Sequence, residues 1–205
     1  MLSVRRRAQL GLAAAFIVLA ASVSALLLLP RRSRAIAAAD VGTIAPDFVL
    51  HDAADGQPAT LSALRGQAVV LYFGSLRTAG TTAYNERINQ LARRYSADSR
   101  VKFLALDVAR MGDERPDAWQ LRADLKDLAR PFPTLLDDRG TIAARYSIPE
   151  ESPTIVVIDP RGRVSYRGPF DDHADVAFAT RHYTEVALRD ALEMPTVGFA
   201  ASAGR

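Results

Sequence analysis

Cysteine is missing from this 205-residue chain. No thiolate and no disulfide can therefore form, and the lack says nothing about compartment, because there is no thiol for a redox poise to act on. Histidine is scarce at three residues and tryptophan occurs once. No Ser-His-Asp order and no Gly-x-Ser-x-Gly elbow accompanies the hydroxyl residues, which removes the usual acyl-transfer machinery. No run of lysine or arginine interleaved with aromatics is present beyond the N-terminal segment, so nucleic acid is set aside as a partner. Repeats and low-complexity tracts are also missing, apart from the alanine-rich Ala35 to Ala39.

What is present begins with a long apolar run. Arg5-Arg6-Arg7 precede about twenty uncharged, mostly apolar residues from Ala8 to Leu29, a length that crosses a hydrocarbon core as a helix. Pro30-Arg31-Arg32-Ser33-Arg34 close the run. The expectation is a membrane anchor over 1–34 with residues 8–29 in the bilayer, a linker over 35–40, one domain over 41–194 and a flexible tail over 195–205. A cleaved signal peptide is the rival reading, with small-residue sites at Val23-Ser24-Ala25 and Ile36-Ala37-Ala38. The run is long for a signal core, and cutting after Ala25 would leave Leu26 to Leu29 exposed. Three arginines on each side do not fix the orientation. The formal charge of +3 belongs to this segment: six of the 26 basic residues lie in it with no acid, leaving twenty against 23 acidic residues, or −3, for the remainder.

The stretch that organises the domain is Gln67-Ala-Val-Val-Leu-Tyr-Phe73 followed by Gly74-Ser-Leu-Arg-Thr78-Ala-Gly-Thr81-Thr-Ala-Tyr84. The unbroken apolar run from Ala68 to Phe73 predicts a central strand covered on both faces. Tyr84, Ile88, Leu91 and Tyr95 then recur at helical spacing as one buried face, which leaves Asn85, Glu86, Arg87, Arg93 and Arg94 to face water. Between strand and helix lies a polar turn, where unpaired N–H groups and the positive dipole end gather. Thr78 and Thr81 occupy it. Their plainest role is helix capping, since a threonine oxygen accepts an orphan N–H and no nearby base activates the hydroxyl.

Several short motifs in order carry a resemblance. They are Ala45-Pro46-Asp47-Phe48, Phe73-Gly74-Ser75 with Tyr84, Ser152-Pro153-Thr154 leading to Asp159 and Gly162, and Tyr166-Arg-Gly-Pro-Phe-Asp171-Asp172. Over about Val41 to Asp172 the chain resembles the redoxin branch of the thioredoxin-like superfamily, the alkyl hydroperoxide reductase and thiol-specific antioxidant group. Phe73-Gly74-Ser75 with Pro116-Asp117-Ala118-Trp119 is similar to its iodothyronine-deiodinase-like corner. The resemblance implies an α/β, three-layer thioredoxin-like fold with a mixed central sheet, here preceded by the N-terminal transmembrane helix. It also implies an added N-terminal hairpin, a cis Pro153 beside the redox turn, and a domain on the periplasmic side of the membrane. In the family that turn carries a reactive cysteine or selenocysteine, often as Cys-x-x-Cys, and the register places Thr78 at the first position and Thr81 at the second. A threonine hydroxyl stays protonated there and forms no disulfide, so thiol exchange, cysteine-based peroxide reduction and selenol-type deiodination are closed to this polypeptide alone. The acid and histidine of deiodinase-like relatives find no histidine counterpart between Val108 and Pro116. Thr196-Val-Gly198-Phe199 resembles the remnant of a Thr-x-x-Gly-Cys ending.

Further strands are expected at Val101 to Asp107, Pro131 to Asp137, Ile155 to Asp159 and Val164 to Arg167. Helices are expected at Trp119 to Leu128, with Trp119 as a packing residue, through Ala143, Ala144 and Tyr146, and at the C-terminus with an apolar face of Val176, Ala179, Tyr183 and Val186. Asp171-Asp172-His173 with His182 invites a metal, but nine residues put the two histidines on opposite sides of a helix, so a solvated surface is the reading and no metal or cofactor is expected. The leading function is a binding or structural module that docks an extracytoplasmic protein or peptide around Thr78, Thr81, Ser152 and Pro153. The alternatives are a redoxin-class oxidoreductase completed by a cysteine-bearing partner, and a hydrolase using Thr78.

Overall fold

Apolar runs alternating with amphipathic stretches build a layered α/β domain in the computed structural model, which describes residues 39–74, 79–108, 118–149, 153–173 and 176–194, without the side chains of 79–83, 118–122 and 176. Strands β1 (Val49–His51) and β2 (Pro58–Thr60) form a small antiparallel hairpin, followed by a 3₁₀ turn at Leu61–Leu64. Then come β3 (Ala68–Gly74), α1 (Ala79–Arg94), β4 (Val101–Val108), α2 (Ala118–Leu128), β5 (Thr134–Asp137), α3 (Thr141–Arg145), β6 (Thr154–Ile158), β7 (Val164–Gly168) and α4 (Tyr183–Glu193). The five-stranded sheet has the order β5-β4-β3-β6-β7. β3, β4 and β5 run parallel, whereas β6 and β7 are antiparallel additions, so the sheet is mixed as expected.

β3 lies at the centre because both of its faces are apolar. Val69, Leu71 and Phe73 join a cluster with Leu106, Leu135, Ile142, Tyr146, Val156 and, on either side of the hairpin, Phe48 and Leu61. Ala68, Val70 and Tyr72 join the opposite cluster, with Ile88 and Leu91 of α1 and Leu188 and Ala191 of α4. Period-two alternation sends successive residues to opposite sides, so covering both sides demands the unbroken run. On the first face Asp137 accepts the N–H groups of Ile142 at 3.0 Å and Ala143 at 2.8 Å, capping α3 from outside its own sequence. At the β6–β7 turn Gly162 has φ of 78°, a left-handed conformation that glycine adopts without strain, and the Arg65 guanidinium lies where a side chain would begin.

Several expectations need correction. β5 starts at Thr134 rather than Pro131, because Pro131 and Pro133 have no N–H to give a ladder. The C-terminal apolar stretch is two elements, a 3₁₀ turn at Val176–Phe178 and then α4. Between them the Asp172 carboxylate takes the N–H groups of Thr180 at 2.8 Å and Arg181 at 3.0 Å, which diverts the chain from helix. The packed face of α4 is consequently Thr184, Leu188 and Ala191, while Val186 is exposed. Asn85 and Arg87 are buried rather than solvated, as is Asp171. No helix among the described residues is long and apolar enough to cross a membrane; the run over 8–29, the linker up to residue 38 and the tail over 195–205, with Thr196 to Phe199, lie outside them.

Candidate functional site

The carboxyl end of β3 meets two neighbours. Gly74 stands opposite Asp107 of β4, and Phe73 stands opposite Thr154 of β6, so Pro153 comes next in register beside Gly74. Residues 75–78 lead from there into α1, whose first turn carries no acidic residue to neutralise its positive end. Crevices outside the carboxyl ends of parallel strands are the usual ligand positions of such sheets.

Beneath this end, on the α1 face, lies a polar layer roofed by aromatics. Arg87 of α1 is buried against Asp171, also donates to the His173 carbonyl at 3.0 Å, and has its guanidinium carbon 4.5 Å from the Tyr84 ring and 5.6 Å from the Phe170 ring. Arg130 approaches from the other flank. It donates to Thr134 Oγ1 and to Asn85 Oδ1, each at 2.9 Å, and lies 5.5 Å from both the Tyr72 and Phe132 rings. Burial lowers the Arg130 pKa, opposed by the Tyr72 hydroxyl and Asp107. Burial raises that of Tyr72 well above the phenol range, so it remains a neutral donor while the guanidinium stays charged. The layer holds α1 in place from both sides. Arg87 ties the helix to Asp171 and the His173 carbonyl, and Arg130 ties it to the segment before β5 through Asn85.

Of the residues expected to form a site, Pro153 is described and half-buried at the exit of β3. Thr81 falls in the first turn of α1 by its backbone. Thr78 and Ser152 lie outside the described residues, and so does the Ser152–Pro153 bond on which the cis expectation rests, together with Pro116 and Asp117. Asp172 and His173 are exposed, whereas Asp171 turns inward to Arg87, so the Asp-Asp-His run is not one solvated patch. Residues 173 and 182 are not joined by a helix. Among the described residues no cluster of potential metal ligands occurs. Sequence reasoning missed Arg130 altogether; its one signal is a cation between α2 and β5, immediately before Pro-Phe-Pro.

Comparison with solved structures places the chain among thioredoxin-like folds. A hypothetical protein from Sinorhizobium meliloti 1021 is 24% identical with a TM-score of 0.62, covering 78% of this chain and 88% of that one. A putative thiol:disulfide interchange protein DsbE from Chlorobium tepidum is 21% identical with a TM-score of 0.56, covering 75% and 95%. Peroxidoxin BcpB from Mycobacterium tuberculosis is 22% identical with a TM-score of 0.55, covering 76% and 98%. At such identity these establish the fold alone. No curated protein matches the chain. The AhpC/TSA family model matches residues 41–167, the span that holds the hairpin, the β3 exit and all five strands of the sheet up to Arg167, and by that match this cysteine-free chain belongs to the AhpC/TSA family.

Proposed function

We propose that the protein is a membrane-tethered redoxin domain that has lost sulfur chemistry and acts as a binding or structural module. It docks an extracytoplasmic protein or peptide at the exit of β3, around Thr78, Thr81, Ser152 and Pro153. The observation that carries this reading is the absence of cysteine from the whole sequence of a redoxin-family chain. The polar layer beneath α1 supports it, because the buried Arg87–Asp171 pair and the cation–aromatic contacts fix that helix without supplying a nucleophile. The tether rests on the length of the apolar run over 8–29, and the periplasmic side on the family resemblance, since the arginines at each end do not fix the orientation. An oxidoreductase reading would need a partner to bring the sulfur.

The test is insulin reduction by dithiothreitol and peroxide consumption with the purified protein, beside a Thr78→Cys/Thr81→Cys variant. The natural protein is expected to accelerate neither reaction, and the double variant to accelerate thiol exchange if the turn keeps its geometry. Acceleration by the cysteine-free protein overturns the proposal. Protease protection in sealed membranes reads the side on which the domain lies.

A further inference from the structure

Among the described residues three buried side-chain polar atoms have no hydrogen-bond partner, namely Asn89 Oδ1, Arg130 Nε and Asp171 Oδ1. Two of them belong to one seam. Asn89 of α1, 2% exposed, donates through Nδ2 to the Leu128 carbonyl at 3.0 Å, and Arg93 one turn later donates to the Ala129 carbonyl at 3.3 Å. The Arg130 side chain leaves the backbone beside these contacts and ends at Asn85 Oδ1, one turn earlier on α1. Its stem therefore runs back along the helix from the level of Asn89 to that of Asn85, about 6 Å away, with Nε between the two. No hydrogen bond joins the orphan donor to the orphan acceptor.

We infer that an internal water molecule is built into this seam, accepting from Arg130 Nε and donating to Asn89 Oδ1. Reversing the Asn89 amide does not solve the problem, because its oxygen would then face the Leu128 carbonyl. Leaving both atoms bare forfeits a hydrogen bond at each, with the greater loss at the charged one, whereas one water satisfies both. The chemistry of the pair selects the occupant. An oxyanion has no proton for Oδ1 and a metal cation has no lone pair for Nε–H, so the molecule must both donate and accept. The Tyr72 and Phe132 rings lie beside the guanidinium, with Phe103 5.8 Å from Phe132. The water thereby completes the hydrogen bonding between the helix that follows the β3 turn and the segment leading to β5.

A crystal structure of the protein at a resolution that shows ordered solvent tests this directly. The expected result is a solvent peak within about 3.2 Å of both atoms. A dry seam, with Nε bonded to Oδ1 or turned toward bulk solvent, overturns the inference. In solution, oxygen-17 relaxation dispersion counts long-lived waters, and a domain this size holds several at roughly one per 27 residues, so the difference is what matters. Asn89→Leu is expected to have one fewer than the natural protein, and an equal count argues against the site. If that variant does not fold, Arg130→Met, which keeps the stem and removes Nε, serves in the crystallographic arm: the peak between the two positions should vanish.

Discussion

On the β3 face that packs against α3 and the hairpin, Phe73 meets Tyr146 with ring centroids 5.4 Å apart, and the buried polar groups are capped or bonded. Asp137 caps α3, and the Tyr146 hydroxyl donates to the Pro46 carbonyl at 2.8 Å. The face that packs against α1 and α4 holds the same kind of apolar cluster, yet Arg87, Asp171, Asn85 and Asn89 are buried in it, and every orphaned atom found among the described residues belongs to this side. A core of this size does not need ionised groups, since well-packed apolar residues stabilise at least as well. Their concentration beneath the helix that leaves the β3 turn is better explained by fixing that helix in one position than by stability.

The largest effect separating the faces is expected from Arg87→Met. It leaves the Asp171 carboxylate buried without its cation and should cost about 3–5 kcal/mol, read as a lower denaturant midpoint. Removing both partners in Arg87→Met/Asp171→Leu should recover most of that loss. If the single variant costs no more than a surface change, the two faces are energetically alike and the contrast is lost. On the other face Tyr146→Phe deletes one hydroxyl from a good hydrogen bond and should cost about 1 kcal/mol. A cost equal to that of Arg87→Met would also erase the difference.

Alkali tests what the faces share. Burial raises the pKa of Tyr72 on one side and of Tyr146 on the other, and pushes Tyr166 up to about 12, with Tyr183 and Asp171 adding to the last. A folded pKa above the unfolded one means the neutral phenol is favoured by folding. The stabilisation is complete below about pH 10, the value of a free tyrosine, and is lost as pH rises through the folded values. Phenolate absorbance from Tyr72 and Tyr146 should therefore appear only with alkaline unfolding, and that of the half-buried Tyr166 only near pH 12. A titration near pH 10 with the fold intact would show that they are not enclosed.

How far the sequence revealed this division depends on periodicity. β3 was legible because six apolar residues in a row have few other uses, and the face of α1 was legible from Tyr84, Ile88 and Leu91. Arg87 was misplaced because helical spacing puts it at the border of that face, where a guanidinium counts as solvated unless something covers it. The cover comes from Phe170 and Asp171, 84 residues away for the carboxylate, and no local pattern records it. Arg130 was invisible for the same reason: its partners Asn85, Tyr72 and Thr134 lie on three different elements. Thr78 and Thr81 could be assigned only through the family register, since a threonine before a helix is ordinary capping chemistry.

The smallest expected effect lies next to the largest. Asp171 and Asp172 are adjacent, one inside and one outside, and only the first should matter to global stability. The Thr180 hydroxyl, followed by the Arg181 N–H, holds the Asp172 carboxyl well below the usual carboxylate range. A depressed folded pKa contributes stabilisation that is present above about pH 4, the ordinary carboxylate value, and is lost as pH falls through the lower folded value. Because the group is exposed, solvent screens the interaction and the loss stays local. The amide resonances of Thr180 and Arg181 should accordingly shift with a midpoint far into the acid range, and Asp172→Asn should abolish that titration while leaving the denaturation midpoint where it was. A drop in that midpoint as large as that of Arg87→Met would mean that the segment from Asp172 to Arg181 is part of the clamp on α1, and the boundary between the buried layer and its surface would have to be moved outward by one residue.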